Sequence, residues 1–180
     1  KPFFTSTGGG VTLSGGEATL QMDFASQLLQ ALKREGIHTA IETSGFFDYA
    51  HFKDKLLPWL DLIYYDIKLI DDEASKQYCG HSNQRILDNF CRLLTDAHIP
   101  IIPRIPLIPG ITTTEENLRG IAAFLDKHGV KSCALMPYNP LWSDKLRKLG
   151  LTPLYQHSGF MTPAEQAACA RHFTKPHSSS

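Results

Sequence analysis

The chain has 180 residues, 42% of them hydrophobic, which suits one compact domain with its own core. Lysine plus arginine total 18 and aspartate plus glutamate total 18, so the formal net charge is zero. This balance indicates no nucleic-acid partner and no anionic membrane surface. No apolar run approaches the ~18 residues of a membrane span, and no signal peptide is visible, so we expect a cytoplasmic protein.

Strand-like apolar runs alternate with amphipathic stretches along the chain. In chain order, the pattern predicts a strand at residues 11–14, a helix at 23–35, a strand at 38–42, a helix at 49–56, a strand at 62–66, a helix at 83–97, a strand at 101–105, a helix at 115–128, a strand at 132–136 and a last helix after Thr162. Asp23 is the predicted N-cap of the first helix, and Pro163 and Glu165 complete the start signal of the last one.

A β-α order repeated five times predicts an α/β fold in which a parallel sheet is covered by helices. A complete eight-unit barrel usually needs about 250 residues. Five units in 180 residues therefore predict a partial (β/α) TIM-like barrel or an open α/β sheet. We expect one domain over residues 1–175, followed by a disordered tail at residues 176–180.

Polar and glycine residues follow the carboxyl ends of the predicted strands. The segments are SGGE (14–17), ETSG (42–45), DIK (66–68), IPG (108–110) and PYN (137–139). In a parallel sheet these ends share one edge, and α/β folds place their active sites there. The sequence therefore predicts that these segments meet at a functional site.

The Gly-Gly-Glu segment of Gly15, Gly16 and Glu17 has two interpretations. A glycine pair can be a plain tight turn, or its missing side chains can let backbone groups reach a ligand. Glu17 would then face an ammonium group or fix the loop. Because no Gly-Lys-Ser/Thr follows and no G-x-G-x-x-G is present, the segment is not a phosphate-binding loop.

The charged residues at the other strand ends also leave alternatives open. Asp66 and Lys68 are two apart, so on a continuing strand they share a face and could form a salt bridge at the sheet edge. Glu42 ends an apolar strand in the same way. Arg104 could hold an acid across this edge or be a surface charge, and Asn139 could be only a turn residue.

Four cysteines are spread along the chain with no C-x-x-C pair or other close cluster: Cys79, Cys91, Cys133 and Cys169. This spacing argues against a disulfide framework and against a structural zinc site. We therefore expect reduced thiols and no metal ligands in these 180 residues.

Six segments occur here in the order GGGVTLSGGE, ETSG, YYDIK, GHSNQRILDN, PRIPLIPGIT and LMPYNPL. Together they closely resemble the radical S-adenosylmethionine activases of glycyl-radical enzymes, the family of the pyruvate formate-lyase activating enzyme. The resemblance runs from about residue 3 to the last helix. It implies a partial (β/α)6 barrel and an oxidoreductase activity.

The resemblance also implies cofactors and partners. In this family three cysteines of a C-x-x-x-C-x-x-C loop hold a [4Fe–4S] cluster, and S-adenosylmethionine chelates its open iron. Electrons from a flavodoxin- or ferredoxin-type donor cleave the sulfonium, and the resulting 5′-deoxyadenosyl radical takes a hydrogen atom from a glycine of the partner enzyme. A glycyl-radical enzyme such as pyruvate formate-lyase is therefore the implied protein substrate.

Matching the family's motifs to this chain implies a set of cofactor-binding residues: Gly15, Gly16, Glu17, Glu42, Thr43, Asp66, Ile67, Lys68, Arg104 and Asn139. The Gly-Gly-Glu motif meets the methionine amino group, and the Asp-Ile-Lys segment lies near the carboxylate. Some relatives have aspartate where this chain has Glu42. Asn139 stands where relatives often have histidine, so it can donate a hydrogen bond but cannot titrate near neutral pH.

One family motif is absent, since no C-x-x-x-C-x-x-C occurs in the 180 residues. Cluster ligation needs thiolates at the right spacing, and the four scattered cysteines do not supply it. We expect the cluster loop to precede residue 3, so that this chain corresponds to the second to sixth β/α units. Alone it is expected to be inactive, with no catalytic residue of its own, and to bind S-adenosylmethionine weakly.

Two other functions compete with this interpretation. A β/α barrel could be a Schiff-base lyase or aldolase, with Lys68 as the nucleophile and Asp66 as the acid/base. Alternatively, the chain could be a non-catalytic module that only docks a partner.

Overall fold

The computed structural model describes residue 4, residues 8–141, residues 148, 150, 152 and 155, and residues 157–173. The predicted tail at residues 176–180 lies outside the described residues. The chain divides into two compact units. The first comprises Lys1–Ile67 and Asp71–Arg104, and the second comprises Lys68–Ile70 and Ile105–Ser180.

The secondary structure alternates as the sequence predicts. In chain order it comprises β1 (Gly10–Leu13), a 3₁₀ turn (Ala18–Gln21), α1 (Met22–Arg34), β2 (His38–Thr43), α2 (Tyr49–Lys55), a 3₁₀ turn (Leu57–Trp59), β3 (Leu62–Asp66), α3 (Asp72–Cys79), α4 (Gln84–Asp96), β4 (Ile101–Leu107), α5 (Glu115–Lys127), β5 (Ala134–Pro137) and α6 (Pro163–Ala170). Within the described part of the chain, no helix is long and apolar enough to span a membrane.

The strands form one sheet in the order β1-β2-β3-β4-β5. The pairs β1–β2, β2–β3 and β3–β4 are parallel, and their register sets Glu42 beside Tyr64 and Asp66 beside Arg104. Sequential parallel strands joined through helices are the arrangement of an α/β fold, so the predicted fold class is confirmed.

Two features of the helices differ from the prediction. Asp23 is not the N-cap of α1: Gln21 occupies that position, and Asp23 lies in the first turn. The chain already turns at Ala18–Gln21, because the Glu17 side chain caps that short 3₁₀ turn. Helix α3 was not predicted, although Asp71 caps its first turn and Gly80 ends it in the left-handed conformation.

The start of the last helix is confirmed. The Thr162 hydroxyl accepts a hydrogen bond from the Glu165 N–H, and the Glu165 carboxylate accepts one from the Thr162 N–H. Pro163 occupies the first turn. These reciprocal bonds satisfy two backbone donors at the end of the helix, as a capping box requires.

Alternation along the strands of the first unit gives the sheet two different faces. One face is fully buried and includes Ile41, Ile63 and Tyr65; the Tyr65 ring packs against Phe90 of α4, with ring centroids 5.1 Å apart. The other face carries Glu42, Tyr64, Asp66 and Arg104, which are only half-buried. The half-buried face therefore brings charged side chains together near the carboxyl ends of the strands.

Candidate functional site

Three charged side chains form an ion triad on the half-buried face of the first unit. The Arg104 guanidinium donates from Nη1 to Glu42 Oε1 at 2.7 Å and from Nε to Asp66 Oδ1 at 2.8 Å. The Ser14 hydroxyl donates to the other Glu42 oxygen at 2.8 Å. Ser14 directly follows β1, and Glu42 and Asp66 lie at the carboxyl ends of β2 and β3. Arg104 lies in the middle of β4, so the contacts cross four neighbouring strands.

Hydrogen bonds within the triad favour the charged forms of Glu42 and Arg104. The hydrogen bond from Arg104 lowers the pKa of Glu42, and Ser14 adds to this against the opposing effect of partial burial. Burial acts to lower the pKa of Arg104, but the hydrogen bonds to Glu42 and Asp66 outweigh it and raise that pKa. One cation between two carboxylates leaves a site with charges of both signs.

Glu17 forms a second polar group, here called the Glu17 anchor, with Thr19, Thr43 and Ser44. Its Oε1 accepts from the Thr19 N–H at 3.3 Å, the Thr19 hydroxyl at 2.8 Å and the Thr43 hydroxyl at 2.9 Å. Its Oε2 accepts from the Ser44 N–H at 2.8 Å and the Ser44 hydroxyl at 2.6 Å. The carboxylate thus fixes the loop after β1 to the loop after β2, which favours the loop-fixing role over contact with an ammonium group.

The hydrogen bonds of the Glu17 anchor keep its carboxylate charged. Burial acts to raise the pKa of Glu17, but the bonds from Ser44, Thr19 and Thr43 outweigh it, and the pKa lies below its ordinary value. Gly15 and Gly16, directly before it, are exposed and have φ angles of 83° and 64°. Apart from the glycine itself and its two chain neighbours, no atom lies within 4 Å of a Cβ built on either residue, so their backbone borders open space.

The remaining predicted site residues have different surroundings. Ile67 is buried, and its N–H donates to the Arg104 carbonyl at 2.9 Å. Lys68 and Asn139 belong to the second unit. The Lys68 carbonyl accepts from the Asn117 side chain at 2.9 Å, and Asn139 is exposed and accepts from the Leu141 N–H at 3.0 Å. The Asn139 contact is that of a turn residue.

Three residues that contribute to the triad and the Glu17 anchor were not singled out from the sequence: Ser14, Thr19 and Ser44. Ser14 bonds to Glu42, and Ser44 supplies two of the donors to Glu17. Both lie inside the quoted SGGE and ETSG segments, so their position was visible. Their partners lie 28 and 27 residues away, and no local pattern encodes such contacts.

The described residues do not fit an iron–sulfur cluster. Within the described part of the chain, no three histidine, cysteine, aspartate or glutamate side chains lie close enough together to hold a metal ion. Cys79, Cys91 and Cys133 are half-buried and Cys169 is buried, each as a free thiol. Burial raises the pKa of Cys133 to about 11, so this thiol is protonated at neutral pH.

Comparison with known proteins identifies the family of the chain. The Radical SAM superfamily model matches residues 5–125, which is more than half of the chain. The chain belongs to the radical SAM superfamily. Within it, the Staphylococcus epidermidis pyruvate formate-lyase-activating enzyme is 38% identical over 175 residues, which cover 93% of this chain and 68% of that protein. This radical SAM chain is therefore a member of the glycyl-radical-enzyme activating enzymes, as the sequence motifs predicted.

Other activating enzymes of this family are also similar. The isethionate sulfite-lyase activating enzyme of Nitratidesulfovibrio vulgaris is 41% identical over 79% of this chain and 46% of its own length. The choline trimethylamine-lyase activating enzyme of Oleidesulfovibrio alaskensis is 38% identical over 83% of this chain and 49% of its own length. The radical SAM chain thus spans about half the length of these curated relatives.

A solved structure shares the fold. A domain of the pyruvate-formate lyase-activating enzyme of Bacteroides vulgatus superposes with a TM-score of 0.70 at 27% identity, covering 92% of each chain. This likeness confirms the predicted partial (β/α) barrel for the radical SAM chain.

Replacing Arg104 with leucine is expected to reduce the free energy of unfolding by about 1–2 kcal/mol at pH 7. Breaking a fully buried ion pair costs ~3–5 kcal/mol of stability. The loss is smaller here because the Glu42 side chain is 31% exposed, whereas that of Arg104 is 12% exposed. The pKa of Glu42 is expected to rise in the variant, since its largest lowering contact is gone. Urea unfolding and carboxyl ¹³C NMR measure the two effects.

Arg119→Leu is the matched control for Arg104→Leu. Arg119 pairs with Glu115 on one helix face, and both side chains are 70% exposed, so its loss is expected to change stability little. An equal stability loss in the two variants would show that the ion triad contributes no more than a surface pair.

Proposed function

We propose that this chain is the S-adenosylmethionine-binding part of an activating enzyme for a glycyl-radical enzyme, with residues 1–175 as one radical SAM core. The observation that supports it most is the ion triad beside the bare Gly15–Gly16 backbone. An amino acid carries an ammonium and a carboxylate, and the triad offers two carboxylates and one guanidinium in a half-buried setting. The donor set therefore fits the methionine end of S-adenosylmethionine.

In this proposal, each residue of the triad binds the ligand group of opposite charge. Glu42 and Asp66 accept hydrogen bonds from the ammonium group, and Arg104 faces the carboxylate. The backbone carbonyls of the exposed residues Gly15 and Gly16 would supply further acceptors for the ammonium. The Glu17 anchor holds this turn in place rather than binding the ligand, because its carboxylate already accepts five hydrogen bonds.

The resemblance to the family adds Thr43, Ile67, Lys68 and Asn139 to the proposed cofactor contacts. Thr43 acts through the anchor, since its hydroxyl donates to Glu17. Lys68 is a candidate partner for the methionine carboxylate, and Asn139 a candidate hydrogen-bond donor to the ribose or carboxylate. S-adenosylmethionine held by these residues would supply hydrogen-abstraction chemistry in an enzyme that also contains the cluster.

The proposed protein substrate is a glycyl-radical enzyme. The similar proteins are named as activating enzymes for pyruvate formate-lyase, isethionate sulfite-lyase, choline trimethylamine-lyase and trans-4-hydroxy-L-proline dehydratase. These names support the class of partner and leave its individual identity to experiment. A flavodoxin- or ferredoxin-type protein is the proposed electron donor, and neither a nucleic acid nor a membrane is among the proposed partners.

We further propose that these 180 residues alone do not ligate the [4Fe–4S] cluster and do not cleave S-adenosylmethionine. The scattered cysteines and the lack of a metal-binding group within the described residues support this. With dithionite, S-adenosylmethionine and a glycyl-radical partner, the chain is expected to form no 5′-deoxyadenosine. Appreciable turnover, measured by chromatography of the products, would overturn the proposed inactivity.

Direct binding tests the proposed site without catalysis. By calorimetry, the chain is expected to bind S-adenosylmethionine with a Kd on the order of 0.1–1 mM. Asp66→Asn should weaken binding about tenfold, because one of the two carboxylates loses its charge. Glu115→Gln, which alters an exposed glutamate of α5, is the control and should leave the Kd unchanged. Undetectable binding by the parent chain, or equal binding by Asp66→Asn, would refute the site.

A further inference from the structure

Asn89 joins helix α4 to the loop that follows strand β2. It is 3% exposed, and its Nδ2 group donates to the Gly45 carbonyl and to the Phe47 carbonyl, both at 2.9 Å. The carbonyls lie 44 and 42 residues away in the chain. One buried amide therefore fixes the path of the backbone from Gly45 to Phe47.

The same stretch of backbone supplies the donors of the Glu17 anchor. The Gly45 N–H donates to the Thr43 hydroxyl at 3.1 Å, and that hydroxyl donates to Glu17. Ser44, which lies between these residues, donates to Glu17 from its N–H and its hydroxyl. The direction of these donors depends on the loop that Asn89 holds.

We propose that Asn89 is a positioning residue for the cofactor-binding loop of Gly15 and Gly16. It fixes the loop after β2, the loop directs Thr43 and Ser44 at the Glu17 carboxylate, and Glu17 fixes the glycine turn. The effect on S-adenosylmethionine rests on the proposed function, whereas the effect on Glu17 follows from contacts inside the first unit alone.

The chemistry of an amide suits this role better than other side chains of its size. A short side chain with two N–H donors can satisfy two carbonyls at once. Aspartate would place acceptors against both carbonyls, and leucine would fill the space but leave the carbonyls without these donors. Since the site is buried, water does not readily replace the lost bonds.

The second unit also contains a buried asparagine that donates to two carbonyls. Asn117 of α5 is also buried, and its Nδ2 donates to the Lys68 and Thr112 carbonyls, both at 2.9 Å. Its Oδ1 accepts from the Ile70 N–H at 2.9 Å. Asn117 thus joins the segment after β3 to Thr112 after β4, whereas Asn89 holds a single loop after β2.

Carboxyl NMR of the ¹³C-glutamate-labelled 180-residue chain tests the role of Asn89 without any ligand. In Asn89→Leu, the pKa of Glu17 is expected to rise toward the ordinary value for glutamate as Ser44 and Thr43 lose their alignment. Thr19, Thr43 and Ser44 supply only neutral groups to this carboxylate, and the Tyr65 phenol, whose pKa is raised by burial and by the charge of Glu17, is protonated throughout the titration. Should the leucine variant fail to fold, Asn89→Ala removes both donors without adding a charge and is expected to raise the pKa in the same direction.

Leu93→Ala is the matched control, because Leu93 is a fully buried residue of the same helix. It should lower the melting temperature but leave the pKa of Glu17 unchanged. Ser44→Ala should raise that pKa in the parent chain and add little in the Asn89→Leu background. An unchanged pKa in Asn89→Leu, or an equal rise in Leu93→Ala, would overturn the role of Asn89.

The affinity for S-adenosylmethionine separates this inference from the proposed function. If the inference is correct, Asn89→Leu weakens binding at least threefold at pH 7. A parent chain that binds no S-adenosylmethionine would refute the proposed function, while the Glu17 titration would still decide whether Asn89 positions the anchor.

Discussion

Gly45→Ala is expected to reduce the free energy of unfolding by about 3–5 kcal/mol. Gly45 has a φ of 80°, where an L side chain is strained, and its added Cβ would lie 1.9 Å from the Tyr65 hydroxyl oxygen and 2.2 Å from the ring carbon that carries it. Tyr65 is fully buried, and its hydroxyl donates to the Ile86 carbonyl at 2.6 Å. The Tyr65 ring therefore cannot move away from the added Cβ without losing its packing or this hydrogen bond.

Gly80→Ala separates the overlap from the backbone strain. Gly80 has the same φ of 80°, but no atom lies within 4 Å of a Cβ built on it. Only the backbone term of about 1–2 kcal/mol is expected there. Urea unfolding of both variants measures the difference in the free energy of unfolding. Equal losses of stability would mean that the Tyr65 side chain moves aside without loss of free energy.

The overlap at Gly45 also bears on the candidate site. Gly45 follows Ser44 in the chain, and its carbonyl is one of the two that Asn89 holds. A shift of this residue is therefore expected to disturb the Glu17 anchor, so Gly45→Ala should raise the pKa of Glu17 whereas Gly80→Ala should not. The same carboxyl NMR experiment reports both outcomes.

The strands and most helices were predictable because their signals are local. Strand β3 occupies Leu62–Asp66, as the apolar run at residues 62–66 indicates, and α4 differs from its predicted range by one residue at each end. Apolar residues at strand or helix spacing decide which face is buried, so these elements follow from neighbours in the chain. Helix α3 is short, and its sequence is mostly polar, which explains why hydrophobic spacing did not reveal it.

The members of the site were also predictable, but their partners were not. The positions of Glu42 and Asp66 at strand ends, and of Arg104 on the next strand, follow from the β-α order. The bond from Arg104 to Glu42 crosses over β3, which lies between their strands, and such a contact depends on register and strand order. The five hydrogen bonds of Glu17 combine a local turn with contacts 26 and 27 residues away. Only the local part has a sequence signal.

Glu17→Gln is expected to reduce the free energy of unfolding by about 2–4 kcal/mol at pH 7. Thr19, Thr43 and Ser44 all donate hydrogen bonds to the two carboxylate oxygens of Glu17. Glutamine replaces one of these oxygens with an NH2 group, so the donors that face this group lose their acceptor. Hydrogen bonds to a charged acceptor are also stronger than those to a neutral one. Both effects act on the same loop, so weaker binding of S-adenosylmethionine is expected to accompany the loss of stability.

The loss in Glu17→Gln is expected to depend on pH with a defined sign. The pKa of Glu17 in the folded chain lies below that of the unfolded chain, so its ionised form stabilises the parent fully above the unfolded pKa. This contribution fades as pH falls through the lower, folded pKa. The gap between parent and Glu17→Gln should therefore narrow from pH 7 toward pH 3, while Glu115→Gln, an exposed control, should show little gap at any pH. A gap that stays constant over this range in urea unfolding would mean that the charge of Glu17 does not stabilise the fold.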